Sequence, residues 1–186
     1  MRKCALKVAP DEHLRPGNDV IGQIAHLQQH KCMLFLLVGQ SLTHLLVHAI
    51  FSTKDRRPYL RSDEIRNEIY AYMAGILKNL DCHPVKIGGV EDHVHVFSSL
   101  SKNIAFSDLI GQLKGSSSKR LKEKGLSDFS WQNGYGAFSV SESNLESVTA
   151  YINNQAEHHK KFGYQEEIRK IMRRHRVAFD ERYIWD

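Results

Sequence analysis

The pattern of hydrophobic and polar positions changes character near residue 40. From Ser41 onward, segments in which apolar and polar residues alternate are interleaved with longer segments in which apolar residues recur every three or four positions. The first pattern predicts β-strands and the second predicts amphipathic helices. The predicted strands cover residues 43–53, 82–90, 93–100 and 130–141, and the predicted helices cover residues 62–80, 105–125, 143–161 and 164–176.

The order of these elements is β-α-β-β-α-β followed by two helices, which is typical of the split β-α-β arrangement. It predicts an α+β, ferredoxin-like (RRM-like) fold, with a four-stranded antiparallel sheet and two helices on one face. In that topology the first and third strands are central. The helix at 143–161 follows the fourth strand and can cross the other face of the sheet, and the last helix is short and basic.

Length and composition favour one globular domain with an appendage. The chain has 186 residues, of which 41% are hydrophobic and 25% are charged, as in proteins that bury a core. Residues 1–40 are irregular in composition and weakly periodic. We expect them to be a loosely attached N-terminal extension of a domain at 41–186, or a start site assigned too early, with translation beginning near Val38.

The net charge, the cysteines and the apolar runs limit the kind of partner and the cellular location that the sequence allows. The formal net charge of +5 is compatible with a nucleic-acid partner but does not require one. The three cysteines match no zinc or redox spacing, which favours a reducing, cytoplasmic location. The longest apolar run is far shorter than the roughly 18 residues of a membrane-spanning segment.

Two histidines, His93 and His95, lie two positions apart in the predicted third strand. Side chains at i and i+2 point to the same face of a strand, so both imidazoles stand opposite Val94. On its own, such a pair is either a solvated or packed polar pair or half of a metal site.

Tyr151 and Gln155 are four residues apart on the helix at 143–161 and project from the same side of it. If that helix crosses the sheet, two imidazoles, a carboxamide and a phenol meet. Three neutral donors leave the charge of a divalent cation uncancelled, so that it can hold a phosphate oxygen. A phenol beside it can attack a phosphodiester to give a phosphotyrosine and a free hydroxyl, a step that is reversible without ATP.

The segments "DHVHVF", "WQNGYGAFSVS" and "YINNQAEHH", in this order and spacing, resemble the single-tyrosine HUH transposases of bacterial insertion sequences, the IS200-like family. The ending "DERYIW" at residues 180–185 is also similar, and the resemblance covers residues 41–186. It implies that His93, His95 and Gln155 hold Mg²⁺ or Mn²⁺. It also implies that Tyr151 attacks single-stranded DNA, keeps the 5′ phosphate and releases a 3′ hydroxyl.

The resemblance has further implications for partners and location. It implies a homodimer that recognises DNA hairpins near the ends of the element and excises and inserts single strands. The active site can then be composite, with the histidines from one subunit and the tyrosine helix from the other. The place of action would be the bacterial cytoplasm, at the nucleoid.

Basic residues on two helices are candidates for DNA contacts, although a solvated helix face explains them equally well. We take as candidates Lys114, Lys119, Arg120, Lys122, Arg173 and Arg174. His48 is expected to be a strand residue without a catalytic role. We expect His158 and His159 to lie exposed before two lysines, and the alternative is that they contact the metal site or DNA.

Three other functions remain open from the sequence. A plasmid relaxase or replication initiator also uses the His-x-His and tyrosine chemistry, but often carries more length than this chain. A noncatalytic nucleic-acid-binding module usually stacks bases on aromatic residues of its central strands, where this sequence has histidines. An inactive relative acting as a repressor is the third.

Overall fold

A computed structural model describes residues 41–185 of the chain, and the expected N-terminal extension at 1–40 lies outside them. The described residues contain four strands in one sheet of order β2-β3-β1-β4, with every neighbouring pair antiparallel. The strands are β1 (Leu46–Ser52), β2 (Pro84–Gly89), β3 (His93–Ser99) and β4 (Gly136–Val140). The predicted ferredoxin-like α+β fold is confirmed, with β1 and β3 at the centre.

Helices α1 (Asp63–Asn79) and α2 (Phe106–Glu123) cover one face of this sheet. Their apolar faces pack on the side chains of β1 and β3 that point toward them. Together they form the largest buried cluster of the described residues, which includes Phe51, Val94, Val96, Ile69, Met73, Leu109 and Leu113. Each such side chain contributes about 1.5–3 kcal/mol by leaving water. The two apolar clusters on the opposite face of the sheet are smaller, and buried polar side chains lie between them.

The opposite face is covered by three short helices, α3 (Leu145–Asn153), α4 (Gln155–His159) and α5 (Tyr164–Arg174). The prediction of one continuous helix at 143–161 is wrong, because the chain leaves helical geometry at Asn154, where φ is −96° and ψ is 16°. Two consecutive asparagines stand at this point, and asparagine favours helix ends over helix interiors. The predicted crossing of the sheet is nevertheless observed.

Glycines in β2 set the distance between the sheet and α3. A Cβ atom at Gly88 would lie 2.8 Å from Ile152 Cγ2 and 3.0 Å from the Ile152 carbonyl oxygen, so only glycine permits this approach. Gly89, with φ of +149°, forms the turn into β3, where a Cβ would lie 2.3 Å from the His93 carbonyl oxygen. The two glycines of this hairpin therefore set the position of His93 and the close approach of α3 to the sheet.

Among residues 41–185, none of the helices has both the length and the apolar character that a membrane crossing requires.

Candidate active site

The two central strands present three histidines on the face covered by α3 to α5. His93 and His95 project from β3, and His48 projects from β1, where its strand pairs with β3. The side chains of His93 and His95 are fully buried, and His48 is 6% exposed. Buried imidazoles need hydrogen-bond partners, so the atoms around each ring nitrogen decide what these residues do.

One ring nitrogen of each β3 histidine is held by a neighbour. His93 Nδ1 lies 2.7 Å from Asp92 Oδ1, and His95 Nδ1 lies 2.9 Å from His48 Nε2. Both Nε2 atoms are therefore directed away from the strands, toward the helices. Within residues 41–185 neither Nε2 atom has a hydrogen-bond partner. Metal-binding histidines are held in this way, with one nitrogen fixed by a neighbour and the other presented to the ion.

The carboxylate of Glu167, on α5, lies directly opposite these two nitrogens. Its side chain is 1% exposed, and Oε2 is 3.4 Å from His93 Nε2 while Oε1 is 3.6 Å from His95 Nε2. Both distances exceed the usual range of an N–H···O hydrogen bond. The contacts between the carboxylate and these imidazoles are therefore electrostatic.

Glu167 also collects the polar groups of α3 and α4. Its Oε1 accepts hydrogen bonds from the Tyr151 hydroxyl and from Gln155 Nε2, the latter at 2.9 Å. Its Oε2 lies 3.0 Å from His159 Nε2. Gln155 Oε1 is buried and has no partner among the described residues. One carboxylate thus links the three short helices to the histidine face of the sheet.

The four residues expected to form the site are brought together within one chain. The rings of Tyr151 and His95 are 5.8 Å apart, and Tyr151 and Gln155 meet at the same carboxylate oxygen although they lie on separate helices. A composite site is not needed to assemble this arrangement.

The sequence analysis did not identify Glu167, His48 and Asp92 as members of the site. The expectation that His158 and His159 lie exposed is wrong. The side chains of these two histidines are 18% and 13% exposed. A signal for Glu167 was present in the sequence: it lies at position i+3 of an apolar stripe, Tyr164, Ile168 and Ile171, that faces the sheet. A charged residue on the buried side of a helix marks a site.

The charges of the site depend on one another. Burial opposes ionisation of Glu167, but the hydrogen bond from His159 and the nearby imidazole of His93 outweigh it and hold the pKa of Glu167 far below the usual range. Burial likewise opposes a charge on His93, yet Asp92 and Glu167 raise the pKa of His93 to about 9. Burial lowers the pKa of His95 well below its ordinary value. The carboxylate therefore attracts positive charge to the space in front of it.

Tyr151 is held as a neutral phenol. Burial and the negative charge of Glu167 both raise its pKa above the value of a free tyrosine. Its hydroxyl borders a cavity of about 490 Å³ whose wall includes Phe138 and Val148 and whose rim includes Lys170 and Arg174. The phenol is thus reachable from a space that has basic groups at its edge.

The basic residues proposed for DNA contacts lie in two different places. Lys114, Lys119, Arg120 and Lys122 are on α2, which packs on the sheet face opposite the histidines. Arg173 and Arg174 are exposed on α5, and Arg174 lines the cavity. The site residues and the α2 residues are therefore separated by the sheet.

Two of the α2 residues are engaged in contacts within the chain. Lys114 Nζ donates to the carbonyl oxygens of Gln132, Asn133 and Gly134 at 3.0, 3.1 and 2.6 Å, which uses all three of its hydrogens. Arg120 pairs with Glu68 of α1 at 2.7 Å. Lys114 therefore holds the loop before β4, and its three hydrogens are taken by these internal contacts.

Comparison with known proteins places this arrangement in a family. The family profile described as "Transposase IS200 like" matches residues 41–155, more than half of the chain. No curated protein sequence matches significantly.

Two solved structures resemble the chain. A protein of Deinococcus radiodurans R1, provisionally assigned as a transposase, is 25% identical with a TM-score of 0.50, and the match covers 63% of this chain and 96% of that one. A REP-associated tyrosine transposase bound to a REP hairpin is 13% identical with a TM-score of 0.48, and the match covers 66% of this chain and 74% of that one. By the profile match over residues 41–155, the chain belongs to the IS200-like transposase family.

Proposed function

We propose that the chain is a metal-dependent transposase that cleaves and rejoins single-stranded DNA at insertion-sequence ends through a 5′-phosphotyrosine intermediate. One observation carries the proposal: the phenol of Tyr151 meets, in one buried site, two histidines whose Nε2 atoms lack a partner among the described residues. Family membership supplies the reaction class, and this geometry supplies the residues for it.

The donor set fits a divalent cation. His93 Nε2, His95 Nε2 and Gln155 Oε1 are buried atoms with lone pairs and no hydrogen-bond partner within residues 41–185. The Gln155 amide is oriented by its own Nε2–H, which donates to Glu167, so its oxygen is the atom left for the ion. We propose that these three atoms hold Mg²⁺ or Mn²⁺. A bound divalent cation supplies positive charge that polarises a phosphate oxygen.

Tyr151 acts as the nucleophile in the proposed reaction. Its oxygen forms a bond to phosphorus, the bond from phosphorus to the 3′ oxygen breaks, and the 3′ oxygen leaves as a hydroxyl after taking a proton. Glu167 Oε1 already accepts the hydrogen bond of the phenol, so the phenolic proton leaves toward it. Glu167 is a weak base at rest, but the phenol becomes strongly acidic as its oxygen bonds to phosphorus. Reversal onto another 3′ hydroxyl restores a phosphodiester.

The cavity beside Tyr151 is the proposed entry for the DNA strand. Its volume of about 490 Å³ is in the range of small-molecule sites, and Lys170 and Arg174 at its rim can pair with phosphates. Hairpin recognition and a homodimer are what we expect of a member of this family. The molar mass of the full chain in solution, alone and with a hairpin oligonucleotide, tests both expectations.

A noncatalytic nucleic-acid-binding module has less support. Modules of that kind stack bases on aromatic side chains of an uncovered central sheet. Here α3 to α5 cover that face, and its central side chains are the buried His48, His93 and His95. The described residues therefore offer no stacking platform on the central strands.

Covalent capture tests the proposal. The full chain is incubated with single strands that cover both flanks of its own gene, with Mn²⁺ or Mg²⁺, beside Tyr151→Phe, and run on a denaturing gel. We expect a shifted band that requires both the metal and Tyr151. Hairpin binding without any such band would instead indicate a repressor, and the catalytic proposal would be wrong.

A further inference from the structure

The carboxylate of Glu167 has four acceptor positions, two on each oxygen, and three of them are occupied. On Oε1 they accept from Tyr151 and Gln155, and on Oε2 one accepts from His159 at 3.0 Å. The fourth position belongs to Oε2, the oxygen that lies 3.4 Å from His93 Nε2. A carboxylate that is 1% exposed needs positive charge on the side of this position, which either a proton on His93 Nε2 or a cation bound between the two groups supplies.

When a cation replaces any proton on Nε2, the two imidazoles present lone pairs to the space in front of this carboxylate. The contact of 2.7 Å between His93 Nδ1 and Asp92 is favourable only if Nδ1 carries the proton, because a carboxylate is an acceptor. A neutral His93 then has its lone pair on Nε2. The same holds for His95 when its Nδ1–H donates to His48 Nε2 at 2.9 Å. Acceptors thus converge from β3 and from α5 on one point.

The spacing of these acceptors suits ligands of one ion. Two donor atoms that each lie about 2.1 Å from a cation, at angles of about 90–110°, are about 3.0–3.4 Å apart. The 3.4 Å between Glu167 Oε2 and His93 Nε2 falls in this range, and a direct hydrogen bond would be shorter. His93, His159 and Glu167 also offer ligand atoms that all lie within 4.8 Å of one another.

We propose that Glu167 Oε2 is a further ligand of the divalent cation held by His93 and His95, and that His159 is the positioning residue that orients this oxygen. The inference rests on the metal site of the proposed function and extends it from β3 and α4 to α5. The shell then combines two imidazole nitrogens with an amide oxygen and a carboxylate oxygen. Such a set suits Mn²⁺ better than Mg²⁺, which prefers oxygen ligands and retains water.

Calorimetric titration of the full chain with MnCl₂ in the absence of DNA tests this assignment. We expect Glu167→Gln to weaken Mn²⁺ binding by at least about tenfold, since even residues that only orient a ligand change affinity by about 10–100-fold. Glu166→Gln is the matched control, because Glu166 is exposed and its substitution removes the same charge one residue away. It should leave the affinity within about twofold of the wild type.

The outcomes separate this inference from the proposed function. Binding of Mn²⁺ by Glu167→Gln that equals or exceeds wild-type binding would show that the carboxylate is not a ligand, while the histidine site would stand. A wild-type chain that binds no Mn²⁺ would overturn the metal site itself. If circular dichroism shows that Glu167→Gln is unfolded, Glu167→Asp and His159→Ala carry the test. Both should weaken binding several-fold, and unchanged affinity in both would refute the assignment.

Discussion

The close approach of α3 to β2 leads to a prediction that can be worked through from the structure. Tyr151 precedes Ile152, and the backbone at Ile152 lies against Gly88, which is paired with His95 across the sheet. We predict that Gly88→Ala displaces α3 and moves the phenol away from the histidines. The substitution adds one methyl group at the point where the helix that carries Tyr151 meets the strand beside β3.

The size of the effect follows from the distances. The added Cβ would lie 2.8 Å from Ile152 Cγ2 and 3.0 Å from the Ile152 carbonyl oxygen, whereas carbon atoms in contact are about 3.5–4.0 Å apart. Relief of the overlap therefore needs a shift of about 0.7–1 Å, and the carbonyl contact means that the backbone of α3 has to move. Overpacking of this kind costs about 1–3 kcal/mol. A misplacement of about 1 Å at a reacting group lowers a rate by about 100-fold.

The assay is the rate of covalent phosphotyrosine formation, measured together with the thermal unfolding midpoint. We expect Gly88→Ala to remain folded, with a rate about 100-fold below the wild type. Gly75→Ala and Gly111→Ala are matched controls: each lies in a helix interior with nothing within 4 Å of an added Cβ. Both should be fully active and slightly more stable, since alanine is the better helix former. Wild-type cleavage by Gly88→Ala would refute the view that this contact positions Tyr151.

Three further predictions concern single side chains. Tyr151→Phe should abolish covalent capture while hairpin affinity stays within about twofold of the wild type, because the phenol oxygen is the proposed nucleophile; equal losses of both would contradict this division of roles. His48→Ala should weaken Mn²⁺ binding by about 10–100-fold in calorimetry, because it removes the partner that orients the ring of His95, a proposed metal ligand. His44→Ala, at an exposed ion pair, is its control. Lys114→Met should lower the free energy of unfolding in urea by about 1–3 kcal/mol, because three loop carbonyls lose their donor. Its control, Lys122→Met, lies on the exposed side of the same helix and should change little.

The periodicity of the sequence predicts the sheet well because the two faces of the sheet differ in polarity. The face under α1 and α2 is apolar, and the face under α3 to α5 carries the histidines. Val94 and Val96 alternate with His93 and His95, and this alternation alone assigns the histidines to the face away from α1 and α2. The spacing of Tyr151 and Gln155 also places them correctly on one side of the chain. Their position near the histidines follows once the chain that carries them crosses this face of the sheet.

The break at Asn154 and the role of Glu167 could not be predicted in the same way. A spacing of four residues brings two side chains together whether the helix is continuous or bent, so the pattern at 143–161 contains no information about the kink. Glu167 lies 12 residues after Gln155 on another helix, and only the packing of α5 on Ile50 and Phe138 brings it into the site. The internal contacts of Lys114 could not be predicted either, because a lysine with three internal acceptors looks, in sequence, like any surface lysine.

If Tyr151 is the nucleophile, as proposed, the cover formed by α3 to α5 also decides which form of DNA can react. Tyr151 lines the cavity of about 490 Å³, which has room for a nucleotide but not for a stack of base pairs. A duplex could present a phosphate to the phenol only after its strands had separated, and that unstacking costs a few kcal/mol per base. Discrimination between single and double strands would then be a matter of size exclusion at the entrance, independent of base sequence. The hairpin and its neighbouring bases would determine only where along the strand the enzyme acts.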